Sequence, residues 1–174
     1  MTHDKLIVID LETTGLYPEQ GARIVEIGAV PIIDNEVVLC EGFATLVNPG
    51  IPIPPHITKI TSISDDMVKS APPIEEVLPQ FLLYIVDSPL VAHNAPFDIG
   101  FLQHYIQQLG LKPLTNRVID TLLLSKKVFS ESIRHNMDAV LQRLGIPYNK
   151  KQRHRSMEDA YLTALSYLRL KNML

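Results

Sequence analysis

The chain has 174 residues, 46% of them apolar, and a net charge of −3, which suits one domain with a sizeable core, spanning residues 1–174. No stretch approaches the roughly 20 apolar residues of a membrane span, the opening MTHDKL lacks the regions of a signal peptide, and the single Cys40 excludes an internal disulfide framework, so the expectation is a cytoplasmic protein with no membrane partner. The slight acidity argues against coating long stretches of nucleic acid, but it suits a protein that grips a strand end through bound cations.

In chain order, residues 5–10 read as a strand apolar on both faces and hence central in a sheet. Thr13-Thr14-Gly15 is a turn. Residues 24–33 and 36–47 read as two strands joined as a hairpin through Asp34-Asn35, with Cys40 as a half-buried strand residue. Residues 48–56 carry four prolines and read as a loop. Helical patterns follow at 57–69, in pieces, and at 74–86. A short strand at 89–92 precedes a helix at 96–109 with Pro96 in its first turn. Residues 118–120 are another short strand, followed by a helix from 121, a helix at 136–144 ended by Gly145, and a last helix at 157–171. Strands first, then strands alternating with helices, predict a mixed α/β sheet flanked by helices.

The chemistry lies in the acids. Asp10 and Glu12 end the first strand on one face, roughly 6–7 Å apart along it. Alone, the pair fits a solvated strand end as well as a ligand set. Asp98 points further. Its helical neighbours Phe101, Leu102, Tyr105 and Leu109 form the apolar stripe, so Asp98 faces the core. The helix dipole explains an acid in a first turn, but not one that faces inward, and no Lys or Arg lies within 96–109 to pair with it. Asp159 by itself reads as the acid of a capping box with Ser156. His154 by itself reads as a loop histidine among Lys150, Lys151, Arg153 and Arg155. Converging at one strand edge, four acids could not all stay ionised without cations. Hard oxygen ligands select Mg²⁺ or Mn²⁺, and two such ions about 3.5–4 Å apart form the usual clamp for phosphodiester displacement. A histidine, which titrates near neutral pH, suits the removal of a proton from the attacking water.

Asp10-x-Glu12-Thr13-Thr14-Gly15, His93-Asn94-Ala95-x-Phe97-Asp98 and His154-x4-Asp159 resemble, in order and approximate spacing, the three motifs of the DEDDh 3′–5′ exonucleases. The likeness is to the proofreading exonuclease of bacterial DNA polymerase III, either the separate epsilon subunit or a domain built into the polymerase. Asp120-Thr121-Leu122 and Leu144-Gly145-Ile146 add to it. The resemblance implies a ribonuclease-H-like, mixed five-stranded sheet flanked by helices. It implies that Asp10, Glu12, Asp98 and Asp159 hold two divalent ions, Mg²⁺ or Mn²⁺, with Asp10 as the bridge. It further implies that His154 activates water to release nucleoside 5′-monophosphates from single-stranded or frayed DNA 3′ ends, beside a DNA polymerase in proofreading. Thr13, Gly15 and Leu16 would face the terminal nucleotide, Leu16 as an apolar wedge, and His93, Asn94 and Phe97 would support that pocket, with core packing the other reading of His93 and Phe97.

Two departures stand out. Where the family often has Ile-x-Gly-Ile after the proline-rich loop, this chain has Ile60-Thr61-Ser62-Ile63. His56 and Thr61 therefore replace side chains that help hold the 3′ end. The sequence also stops at Leu174, without the tail of proofreading subunits, which implies a nuclease that works alone or an excised domain. A sister enzyme trimming RNA 3′ ends is the alternative substrate reading. A non-catalytic polymerase-binding domain is the alternative class, although none of the five motif positions is missing.

Overall fold

The computed structural model describes residues 5–150 and 152–174; Lys151 lies outside the described residues. β1 (Lys5–Thr13) pairs antiparallel with β2 (Ile24–Ile33), from Lys5 opposite Ile33 to Glu12 opposite Glu26. β5 (Leu90–Ala92) lies parallel to β1 on its other side, and β6 (Val118–Asp120) parallel to β5. β3 (Glu36–Val37) and β4 (Phe43–Leu46) both pair with β2. The order is β3-β2-β1-β5-β6, with β4 beside β2.

Two strand boundaries differ from the sequence reading. β1, expected to end at Asp10, continues through Glu12 to Thr13, so both acids belong to the sheet. The strand expected over 36–47 is broken by a 3-10 turn at Leu39–Glu41. The break falls where the chain passes the last helix: a Cβ at Gly42 would lie 2.7 Å from Met157 Cε. Cys40 is therefore an exposed turn residue, not a half-buried strand residue, and six strands fill what the pattern reads as five.

The helices are α1 (Pro55–Thr61), α2 (Asp65–Val68), α3 (Ile74–Ile85), α4 (Ala95–Gln108), α5 (Thr121–Val128), α6 (Met137–Leu144) and α7 (Ser156–Lys171). α1 begins inside the segment expected to be loop, because a proline at the first helical position loses no hydrogen bond. Alternation along β1 sorts the layers. Ile7, Ile9 and Leu11 pack with Leu78 and Phe81 of α3 and Phe101 and Leu102 of α4. Val8 packs on the other face with Val30, Val91, Ala160 and Ala164, the last two from α7. Among the described residues no helix is long and apolar enough to cross a membrane.

Candidate active site

Asp10 and Glu12 project from the β1 face that α7 covers, beyond Val8. Asp98 comes from the opposite layer. The turn into α4 passes through Asn94 in the left-handed conformation, at φ 64°, and is pinned by Asp120. One oxygen of Asp120 accepts both the Asn94 N–H and the Leu122 N–H, each at 2.9 Å, so the end of β6 ties the turn before α4 to the start of α5. From that first turn Asp98 reaches β1, where its Oδ1 accepts the Leu11 N–H at 3.0 Å. Pairing of β1 with β5 stops at Val8 and Val91, and the carboxylate takes up the N–H that the shorter strand leaves open. Asp98 is only 3% exposed.

α7 supplies the rest. Asp159 is buried in its first turns, and one of its oxygens accepts the His154 N–H at 3.1 Å. The capping box expected from Ser156 does not form. Arg155 occupies the cap position but its side chain does not cap the helix, and among the described residues the buried Ser156 hydroxyl has no partner. Instead Asp159 reaches back past the helix start, and Glu26 of β2 accepts the Ser156 N–H at 2.8 Å. Glu12, His154 and Asp159 each offer a ligand atom, all within 4.8 Å of one another. The Arg153 guanidinium forms ion pairs with Asp159 and Asp138.

The electrostatics follow from crowding in a poorly hydrated place. Burial first, then Asp159, Glu26 and Asp98, push Glu12 up to about 8, against the opposing pull of Arg153. Burial pushes Asp98 up to about 8, although the Leu11 N–H holds it down. Asp10 is raised well above the ordinary range by burial, then by Asp98, Glu12 and Asp159. Such groups resist ionisation until a cation compensates them. The donors are carboxylate oxygens with one imidazole, the set that suits a hard divalent ion. The residues present therefore fit a metal site.

The other sequence candidates fall into three groups. Leu16, 67% exposed, lines a cavity of about 630 Å³ with Tyr17, Asn94, Phe97 and His104. Phe97 packs against Phe101 with ring centroids 5.1 Å apart. Thr13 is buried, its hydroxyl donating to Gly15 O at 2.6 Å, so Thr13 and Gly15 shape the turn that presents Leu16. His93 contacts the Thr121 hydroxyl through Nδ1 at 2.9 Å, and burial lowers its pKa. Thr61 and His56 stand apart. The Thr61 hydroxyl is buried, donating to Ile57 O and accepting the Ile63 N–H, and His56 is exposed on α1, away from the cavity lining. Glu26, Arg153 and Arg155 carry site contacts that the motifs do not flag. The available signal was a lone acid inside an otherwise apolar strand, IVEIGAV.

A mixed sheet layered by helices, with acids from its central strand and two flanking helices gathered at one edge, defines a ribonuclease-H-like nuclease fold. A family model described as Exonuclease matches residues 7–167, and the chain belongs to that exonuclease family. It is 46% identical over 169 residues to a DNA polymerase III subunit epsilon-like protein of Rhodobacter capsulatus, covering 96% of this chain and 24% of that protein. It is 38% identical over 169 residues to the DNA polymerase III subunit epsilon of Rickettsia prowazekii, covering 94% of this chain and 72% of the relative. A DNA polymerase III PolC-type protein of Clostridium perfringens is 40% identical over 161 residues, of which 11% of its length is spanned. The chain thus spans under a quarter of two of these relatives. Exonuclease X, solved in complex with 5′-overhanging duplex DNA, is 31% identical with a TM-score of 0.76, covering 96% of this chain and 91% of that one.

Proposed function

We propose that the chain hydrolyses phosphodiester bonds at single-stranded or frayed DNA 3′ ends and releases nucleoside 5′-monophosphates, with a DNA polymerase as its partner in proofreading. The reading rests above all on one observation: acids from β1, α4 and α7 gather beside His154, where burial and the neighbouring carboxylates raise the pKa of Asp10 and Glu12. Asp10, Glu12, Asp98 and Asp159 would hold two divalent ions, Mg²⁺ or Mn²⁺, which lower the pKa of the attacking water and neutralise charge on the scissile phosphate. An imidazole nitrogen of His154 takes the proton of that water. Leu16 and Phe97 stack against the terminal base, and Asn94 lies at the rim of the same cavity. The polymerase partner is suggested by relatives that are DNA polymerase III proteins.

The test is degradation of matched DNA and RNA oligonucleotides with free or blocked 3′ ends, with Mg²⁺ or Mn²⁺ and with chelator. The expected result is metal-dependent release of 5′-mononucleotides from free DNA 3′ ends. Preferential decay of RNA would move the substrate class, and endonucleolytic fragments would overturn the reading.

A further inference from the structure

We infer that Glu26, outside the four acids and the histidine, is a positioning residue of this site: its carboxylate fixes the start of α7, and thereby Asp159 and His154, against Asp10 and Glu12. The inference rests on the exonuclease reading above.

Glu26 is unfavourably placed on electrostatic grounds. It is 5% exposed and lies directly opposite Glu12 in the β1–β2 ladder, where like charges destabilise a sheet. It also adds to the rise in the Glu12 pKa. A buried charge there must be engaged, and it is. Arg155 Nε donates to both of its oxygens at 3.1 and 3.2 Å, Arg155 Nη2 donates to Oε1 at 2.6 Å, and the Ser156 N–H donates to Oε2 at 2.8 Å. Both oxygens are committed to the clamp, so Glu26 is not a fifth metal ligand.

What the clamp holds is the helix end that bears the site. α7 has no side-chain cap of its own, and a carboxylate from the neighbouring strand supplies one where the helix dipole favours it. Two residues further along β2, the backbones touch: a Cβ at Gly28 would lie 2.4 Å from Ser156 C and 2.5 Å from Met157 N. Shape and charge therefore fix the same helical turn on the same strand. His154, one residue before Arg155, sits at φ 64°, a conformation L side chains rarely adopt. It is held by the Glu26–Arg155 pair on one side and by the Asp159 acceptor on the other. Loss of the Glu26 charge releases one of these two holds.

The experiment compares Glu26→Gln and Arg155→Gln with the unaltered chain on a single-stranded DNA oligonucleotide, alongside Mn²⁺ binding by calorimetry and thermal unfolding. Displacing a catalytic group by about an ångström costs on the order of 100-fold, so kcat is expected to fall roughly 10- to 100-fold in both variants while KM stays within about threefold. The number of bound Mn²⁺ ions is expected to stay the same. Arg155→Lys, which keeps a cation facing Glu26, is expected to recover part of the loss. Unchanged kcat per folded molecule in both variants, or a change confined to KM, overturns the inference. If Glu26→Gln does not fold, the Arg155 variants decide, because the Arg155 side chain is 40% exposed. An unaltered chain that neither cleaves DNA nor binds Mn²⁺ overturns the exonuclease reading itself, an outcome distinct from loss of the positioning role alone.

Discussion

Asp98 accepts the backbone N–H of Leu11 at 3.0 Å, joining the first turn of α4 to the far end of β1. The same carboxylate that would bind metal also completes the hydrogen bonding of the central strand. The two duties separate by substitution. Asp98→Asn keeps an oxygen for Leu11, so at about pH 4, where Asp98 carries its proton, the metal-free protein should unfold within about 1 kcal/mol of wild type, while Mn²⁺ affinity and cleavage collapse at neutral pH. Asp98→Ala leaves a buried N–H unpaired and should cost about 1–3 kcal/mol besides. Denaturant unfolding of both variants in chelator, beside calorimetry with Mn²⁺, checks this.

The pKa of Asp10 responds to Asp98, Glu12 and Asp159 together. Asp10→Ala should abolish cleavage. His154→Ala should slow it by roughly 10²–10⁴-fold with Mn²⁺ binding largely retained, as expected for loss of a general base. Single-turnover rates and metal titrations on the two variants distinguish ligand from base, and unchanged turnover in His154→Ala would rule that residue out.

Metal-free stability should run against the usual acid-denaturation trend. Glu12 and Asp98 rise to about 8 from ordinary values of 4.5 and 3.8. Between those limits the folded chain keeps protons that the unfolded chain has released, so stability falls as pH rises. The penalty is absent below about pH 4 and complete above about pH 8. With saturating Mn²⁺ the slope should flatten or reverse, because binding needs deprotonated carboxylates. Melting temperatures across pH 5–8, in chelator and in Mn²⁺, test the sign.

Arg153 pairs with Asp159 inside the acid cluster and lowers the pKa of Asp10 and Glu12. It supplies positive charge there that a metal ion would otherwise supply. Arg153→Gln should therefore tighten Mn²⁺ binding by about tenfold, the weight of one pKa unit of charge interaction. Weaker binding in a calorimetric titration would contradict this.

Leu16 is exposed at the cavity edge, so Leu16→Ala should leave stability within about 0.5 kcal/mol. If Leu16 covers the terminal base, the loss of about 1.5 kcal/mol of apolar contact should raise KM roughly tenfold with kcat little changed. Steady-state kinetics on a short oligonucleotide decide it.

By itself the sequence determined the layers and the acids. Alternation along β1 reports which side chains face which layer, because a strand's period is fixed by backbone geometry. The apolar stripe of α4 put Asp98 on the inward side for the same kind of local reason. Only the tertiary structure decided what holds the acids together. Glu26 and Ser156 are 130 residues apart and Leu11 and Asp98 are 87 apart, and no local period encodes such contacts. The capping box is the instructive failure: Ser156-x-x-Asp159 has the right spacing, yet a glutamate on the adjacent strand caps the helix and leaves Asp159 turned toward His154. The Thr61 hydroxyl is likewise engaged locally, donating to Ile57 O and accepting the Ile63 N–H. Spacing reports which groups share a face; burial and long-range pairing then decide which of them remain available for chemistry.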